Sequence, residues 1–67
     1  MQLRINGTTE TVFLTENTIQ GVLAYLSLSE EGRVIECNGQ LIHKSDWKQY
    51  TVGENDVIEI IQFMGGG

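Results

Sequence analysis

Polar and apolar residues alternate from the start of the chain, which is typical of a strand with one buried face. Residues 2–6 read Gln-Leu-Arg-Ile-Asn, and Asn6-Gly7 favours a two-residue type I′ turn because both central positions take positive φ. Residues 10–14 are rich in β-branched and aromatic side chains and predict the returning strand. The chain therefore opens with a predicted β-hairpin.

A helical period replaces this alternation in the next segment. Asn17 or Thr18 can cap the helix, since either side chain can accept from the first free backbone N–H groups. We expect the helix to end near residues 29–32, where glycine can take positive φ, and Gly21 inside it costs up to about 1 kcal/mol against alanine. The apolar residues follow i, i+3, i+4, i+7 spacing: Ile19, Val22, Leu23 and Leu26.

Two short strands follow the helix. Residues 34–37 alternate, so that Ile35 and Cys37 share one face of the predicted third strand. A second Asn-Gly pair, Asn38-Gly39, then predicts a tight turn into a short fourth strand at residues 41–42.

The last part of the chain predicts a helical turn and one more strand. Residues 45–50 form the predicted turn, with Ser45 as its cap and Trp47 directed inward. After a loop at residues 53–56, the most apolar segment of the chain, residues 57–63, predicts the final strand.

This order of elements predicts an α+β fold in two layers, one helix packed across a four- to five-stranded mixed sheet. Because the first and last strands both need neighbours on two sides, we place them together in the centre as a parallel pair, which is the β-grasp arrangement. Residues 1–64 are predicted to form a single domain, and residues 65–67 a flexible C-terminal glycine tail.

The composition of the chain limits the kinds of partner that it can bind. The chain has 67 residues, with nine acidic and four basic side chains and a formal net charge of −5. This charge argues against a nucleic-acid partner, since that contact depends on Lys and Arg neutralising phosphates. A partner with a basic docking face fits better, although an acidic surface that only maintains solubility is an equal alternative.

The single cysteine, Cys37, excludes an intramolecular disulfide, and with the lone His43 it lacks the ligand spacing of a zinc site. The apolar runs are too short to span a bilayer, and the first residues do not resemble a secretory signal. We therefore expect a cytoplasmic protein with no membrane contact.

The C-terminus carries the candidate chemistry, since the last strand runs into Met64, three glycines and a free carboxylate. Three extended residues reach roughly 10 Å, and glycines can thread a narrow channel because they lack Cβ. A carboxylate must be activated before a nucleophile attacks it, and adenylation by ATP achieves this; a sulfur nucleophile would then leave a thiocarboxylate. The alternative is a cloning remnant or a disordered end without function.

Several segments together resemble the ThiS-like sulfur carriers of thiamine (thiazole) biosynthesis, which are ubiquitin-like β-grasp proteins. Where the family usually has proline and a basic residue, this chain has His43-Lys44, and it carries Gly65 before the usual glycine pair. The resemblance covers the whole chain and rests on Asn17-Thr18-Ile19, Val22-Leu23, Ile35-Glu36-Cys37-Asn38-Gly39, Ser45-Asp46-Trp47, residues 53–61 and Gly66-Gly67.

The resemblance implies that Gly67 is adenylated and then thiocarboxylated, and that Gly66 must stay small beside it. It implies three partners: an E1-like adenylating enzyme of the ThiF type that uses ATP and magnesium, a sulfur donor such as a cysteine desulfurase relay, and a thiazole synthase of the ThiG type as sulfur acceptor. The carrier itself would hold no cofactor.

Alternation in the last strand places Ile58 and Ile60 on one face, and Ile61 and Phe63 on the other. If the first face packs on the helix, the second forms an apolar docking patch beside the tail, unless a dimer or Trp47 covers it. The predicted partner-binding residues are Ile61, Phe63, Met64, Gly65, Gly66 and Gly67.

No catalytic site is predicted within the body of the domain. Cys37 is expected in the core as a small hydrophobe, and His43 on the surface. The carboxylates lack the paired spacing of an acid–base site: Glu30, Glu31, Asp56 and Glu59. Three functions stay open: a sulfur carrier for thiazole formation, a carrier for another pathway such as molybdopterin synthesis, and a non-reactive β-grasp interaction module.

Overall fold

A computed structural model describes residues 1–63 of the chain. The predictions for Met64, Gly65, Gly66 and Gly67 therefore lie outside the described residues, as does the predicted domain boundary at residue 64. The elements, in chain order, are strands β1 (Gln2–Ile5) and β2 (Thr8–Thr11), helix α1 (Ile19–Tyr25), strands β3 (Arg33–Cys37) and β4 (Gln40–Ile42), a 3₁₀ turn (Lys44–Asp46) and strand β5 (Val57–Gln62).

The five strands form one sheet in the order β2-β1-β5-β3-β4. β1 and β5 pair in parallel at the centre, with Arg4 opposite Val57 and Ile5 opposite Ile58. The other neighbouring strands pair antiparallel. The predicted α+β fold, with a central parallel pair and one helix, is confirmed.

Both Asn-Gly pairs form the predicted turns. Asn6 and Gly7 have φ of 49° and 83°, and Asn38 and Gly39 have φ of 54° and 82°. The returning strand, predicted at residues 10–14, was placed too late: a two-residue turn sets Thr8 opposite Ile5, so β2 begins at Thr8 and ends at Thr11.

Helix α1 ends earlier than predicted. Ser27 adopts φ of 59°, its N–H donates to the carbonyl of Ala24 at 3.1 Å, and the N–H of Leu28 donates to Leu23 at 2.9 Å. These two bonds form a Schellman motif, which here uses serine rather than glycine at the left-handed position. Residues 29–32 therefore belong to the connection to β3.

Thr18 is the cap of the helix, and its Oγ1 accepts from the N–H of Gly21 at 3.1 Å. We expect Thr18→Ala to lower the free energy of unfolding by about 1 kcal/mol, because a backbone donor of the first turn loses its acceptor. Urea unfolding followed by circular dichroism measures the effect. Thr18→Ser keeps the hydroxyl, so an equal loss in that variant would contradict the capping explanation.

The 3₁₀ turn differs from its prediction as well. It begins after His43, which makes no side-chain capping bond, so Ser45 lies within the turn and is not the cap. Trp47 is buried as predicted, at 1% exposure, and its Nε1 donates to the carbonyl of Ile42 at 2.9 Å. This bond satisfies the polar atom of the largest core side chain.

The core lies between α1 and one face of the sheet. Every buried apolar residue among those described falls between Leu3 and Ile58. The cluster consists of Leu3, Ile5, Val12, Ile19, Val22, Leu23, Ile35, Cys37, Ile42, Trp47, Val52 and Ile58.

Candidate functional site

Strand β5 presents different side chains to the two faces of the sheet. Ile58 is 1% exposed, and Ile60 packs against the core. On the other face Ile61 is 45% exposed, and Phe63, just after the strand, is 66% exposed. The predicted exposure of Ile61 and Phe63 is thus observed, and Trp47 does not cover them because it lies in the core. That a partner binds there stays a prediction.

The neighbouring strands extend this surface. Val34 of β3 lies opposite Ile61, and Glu36 lies opposite both Glu59 of β5 and Leu41 of β4. Residues directly opposite in an antiparallel pair point to the same face. We call this surface the open face and define it by Arg4, Val34, Glu36, Leu41, Val57, Glu59 and Ile61.

The end of β5 is held in place from both sides. β1 ends before β5 does, and the side chain of Asn6 continues its pairing: Oδ1 accepts from the N–H of Ile60 at 2.7 Å, and Nδ2 donates to its carbonyl at 3.2 Å. On the other side the N–H of Phe63 donates to the carbonyl of Gly32 at 2.6 Å. The point from which residues 64–67 continue is therefore fixed relative to the open face.

Cys37 lies in the core, as predicted. Burial, together with the nearby negative charge of Asp56, raises the pKa of its thiol. A buried thiol held protonated is a poor nucleophile, so Cys37 acts as an apolar core residue.

The carboxylates that were considered for catalysis have structural contacts or stand apart. Asp56 accepts from the N–H of Gly53 at 2.7 Å and from Nδ2 of Asn38 at 3.0 Å, which fixes the loop before β5. Glu30 accepts from Gln20 at 2.7 Å, and Glu31 lies 4.0 Å from Lys44. Residues 1–63 contain no group of three side chains that could hold a metal ion.

Within the described part of the chain, no helix has both the length and the apolarity needed to cross a membrane.

Two features of the site were not predicted from the sequence. One is the pairing of Glu36 with Glu59, and the other is the contact of Gly32 with the end of β5. Both depend on the register between β3 and β5, which local patterns do not define.

Comparison with known proteins gives consistent results for sequence and structure. The ThiS family model matches residues 2–67. The sulfur carrier protein ThiS of Bacillus subtilis is 34% identical over 65 residues, which cover 97% of this chain and 98% of that protein. A thiazole synthase of Paramagnetospirillum magneticum is 34% identical over 67 residues, all of this chain but only 20% of that much longer protein.

Two solved structures of one relative share the fold. The crystal structure of the thiamine biosynthesis protein ThiS from Geobacter metallireducens superposes with a TM-score of 0.84 at 32% identity and covers both chains completely. A solution structure of a thiamine biosynthesis protein from Geobacter metallireducens gives a TM-score of 0.80, and covers all of this chain and 88% of that one. The agreement of family match, curated relative and fold shows that this chain belongs to the ThiS family.

Proposed function

We propose that this chain is a sulfur carrier of thiamine biosynthesis whose Gly67 carboxylate is converted to a thiocarboxylate. The observation that carries the proposal is the position of β5. This strand lies in the centre of the sheet of a ThiS-family domain and leads directly to Met64 and the glycines at the end of the chain. We call residues 64–67 the C-terminal arm.

The proposed chemistry takes place in two steps. A carboxylate oxygen of Gly67 attacks the α-phosphate of ATP and displaces pyrophosphate, which converts a poor electrophile into an acyl adenylate. A sulfur nucleophile then attacks the carbonyl carbon and displaces AMP. If the nucleophile is a persulfide, a second thiol must reduce the acyl disulfide to release the thiocarboxylate.

The proposed reaction depends on three partner proteins. An E1-like adenylating enzyme of the ThiF type would bind ATP and magnesium, a cysteine desulfurase relay would deliver sulfur, and a thiazole synthase of the ThiG type would accept it. The relative named thiazole synthase contains a stretch similar to this whole chain. A carrier-like unit joined to a synthase has a high effective concentration for it, which supports a synthase as partner. We place the reaction in the cytoplasm.

Mass spectrometry tests the proposal. The chain is incubated with its adenylating enzyme, ATP, magnesium and a sulfur donor, and we expect the mass shift of one oxygen replaced by sulfur, located at Gly67. If the shift is absent while the same enzyme converts another carrier, the proposal is wrong and a non-reactive interaction module is favoured. Transfer of the sulfur only to a molybdopterin-type acceptor would identify another pathway.

Phe63 and Phe13 provide a matched test of the docking prediction. Phe13 is 77% exposed and Phe63 is 66% exposed, but they lie at opposite ends of the sheet: Phe13 follows β2 at the end where β1 begins, and Phe63 follows β5 at the other end. We expect Phe63→Ala to weaken binding to the adenylating enzyme by about 1 to 2 kcal/mol, because an apolar contact beside the arm is lost. Titration calorimetry measures the affinity, and Phe13→Ala should leave it unchanged. Equal losses in both variants would contradict a binding site at the arm end of the sheet.

A further inference from the structure

The side chain of Asn6 extends the pairing of β5 at the point where the backbone of β1 ends. The N–H of Asn6 donates to the carbonyl of Ile58 at 3.0 Å, and the chain then turns back into β2, whereas β5 continues to Gln62. The next backbone groups on this side of β5 belong to Ile60. Both bond to the Asn6 amide, at 2.7 Å for the N–H and 3.2 Å for the carbonyl. One side chain therefore replaces a residue of a neighbouring strand.

The turn itself does not require this amide. Asn6 and Gly7 have φ of 49° and 83°, and glycine adopts such values at least as readily as asparagine. A Gly-Gly pair would therefore form the same two-residue turn. Asn6 is exposed to solvent, yet both polar atoms of its side chain bind a strand that lies 54 residues away in the sequence. The side chain thus serves β5 and not its own turn.

Two contacts hold the end of β5, one from each side of the strand. Asn6 binds Ile60 on the side of β1, and the carbonyl of Gly32 accepts from the N–H of Phe63 at 2.6 Å on the side of β3. Within residues 1–63, the contact with Asn6 is the last one that β5 makes on the side of β1. Without it, the strand that leads to the C-terminal arm would be held from one side only.

A small change in the direction of β5 has a larger effect at the carboxylate of Gly67. Four extended residues reach at most about 14 Å, so a tilt of about 5° at Phe63 would move the end of the arm by about 1 Å. A misplacement of about this size can lower a reaction rate a hundredfold. Each residue of β5 that is already ordered also shortens the segment that the enzyme must order during binding. The contact at Ile60 therefore bears on the rate of reaction as well as on stability.

We propose that Asn6 is a positioning residue for the reaction at Gly67, an inference that rests on the proposed function. Through its two hydrogen bonds to Ile60, Asn6 keeps the end of β5 in one direction relative to the body of the domain. The carboxylate of Gly67 then reaches ATP in the adenylating enzyme at the distance that the first step needs. The role is indirect, because Asn6 acts through β5 and not on the reacting atoms.

Asn38 provides a matched control at the other end of β5. It is also the first residue of an Asn-Gly turn and has positive φ. Its Oδ1 accepts from the N–H of Val57 at 2.9 Å, and its Nδ2 donates to the carboxylate of Asp56 at 3.0 Å. Val57 begins β5, whereas Phe63 follows its last residue. The two asparagines therefore have the same residue type, turn and number of side-chain bonds, but only Asn6 lies near the C-terminal arm.

Asn6→Gly and Asn38→Gly test the proposal, since each keeps its turn and removes two side-chain hydrogen bonds. Both should lower the midpoint of urea unfolding by similar amounts. Adenylation is measured as pyrophosphate release by the ThiF-type enzyme with ATP and magnesium, over a range of carrier concentrations. We expect Asn6→Gly to lower kcat about tenfold and to change KM less than about twofold, because the domain still binds but misplaces its carboxylate. Asn38→Gly should keep both constants close to those of the unchanged chain.

A second variant and a direct measurement of the contact separate positioning from stability. Asn6→Asp also forms the turn and keeps an acceptor for the N–H of Ile60, but it lacks the donor to the carbonyl. Its kcat should lie between those of the unchanged chain and Asn6→Gly. Hydrogen exchange followed by NMR should show faster exchange of the Ile60 amide in Asn6→Gly than in Asn38→Gly.

Four results would overturn the proposal: an unchanged kcat in Asn6→Gly, an equal loss of kcat in Asn38→Gly, a loss confined to KM, or an Ile60 amide that exchanges no faster in Asn6→Gly. A loss confined to KM would make Asn6 a contact of the enzyme. The unchanged chain is converted to the thiocarboxylate in parallel and checked by mass spectrometry. Its conversion, together with a full kcat in Asn6→Gly, refutes only the role of Asn6. If the unchanged chain does not react, the proposed function is refuted and this inference with it.

Discussion

Removal of Gly67 is expected to reduce the rate of adenylation at least a hundredfold while the domain stays folded. The truncated chain still ends in two glycines, because Gly65 precedes Gly66. Its carboxylate, however, ends about 3.3–3.6 Å short of the original position. A displacement of about 1 Å can already lower a reaction rate a hundredfold. The expected loss would therefore result from the shorter C-terminal arm and not from a change in its residue types.

The fold should not respond to this truncation, because the described core residues all lie between Leu3 and Ile58. Pyrophosphate release measures adenylation, and circular dichroism during urea unfolding measures stability. Gly65→Ser is the length-matched comparison: it also ends in two glycines, Gly66 and Gly67, but keeps the full reach, so it should be adenylated faster than the truncated chain. Adenylation of the truncated chain at the original rate would contradict a fixed arm length.

The turns and faces of the sheet could be predicted because they depend on local chemistry. Asn6-Gly7 and Asn38-Gly39 adopt positive φ wherever a two-residue hairpin turn forms, and alternation alone assigns Ile35 and Cys37 to the buried face. The exposure of Ile61 follows from the same alternation once Ile58 is buried. These parts of the fold are encoded within a few neighbouring residues.

The ends of the elements were less predictable because contacts outside each segment determine them. Glycine was expected to end α1, but Ser27 takes the left-handed conformation, and Leu28, which follows it, packs against the core. Ser45 has the residue type of a cap, yet the turn begins one residue earlier, after His43. A favoured residue type is therefore weaker evidence for a boundary than for the existence of an element.

The candidate site also has one feature that could be predicted from the sequence and one that could not. The sequence predicts an exposed apolar residue such as Ile61 beside a C-terminal arm, because both lie along one strand. It does not predict that Glu36 faces Glu59, because these residues are joined only by the register of β3 on β5. Which charged residues are neighbours on a sheet face depends on strand order and register, and these cannot be read from a single sequence.

Replacement of Gly21 by alanine is expected to destabilise the fold, although alanine is the better helix former. A Cβ atom at this position would lie 1.9 Å from the carbonyl oxygen of Glu16 and 2.8 Å from its carbonyl carbon. Both are backbone atoms, so the segment before α1 must shift to make room. The sequence alone treats Gly21 as a cost to the helix, whereas the close approach of Glu16 makes glycine the residue that fits.

The size of the effect follows from two opposing contributions. Alanine gains about 1 kcal/mol in helix propensity, and overpacking in a well-packed site costs about 1–3 kcal/mol, with more where the backbone must move. Because backbone atoms of Glu16 must move, the overpacking cost lies at the top of its range, and we expect Gly21→Ala to lower the free energy of unfolding by about 2 kcal/mol, measured by urea unfolding. Ala24→Gly, at an exposed position of the same helix, calibrates propensity alone and should cost about 1 kcal/mol. If Gly21→Ala instead raised the unfolding midpoint, the contact with Glu16 would not constrain the helix, and the propensity argument from the sequence would be correct.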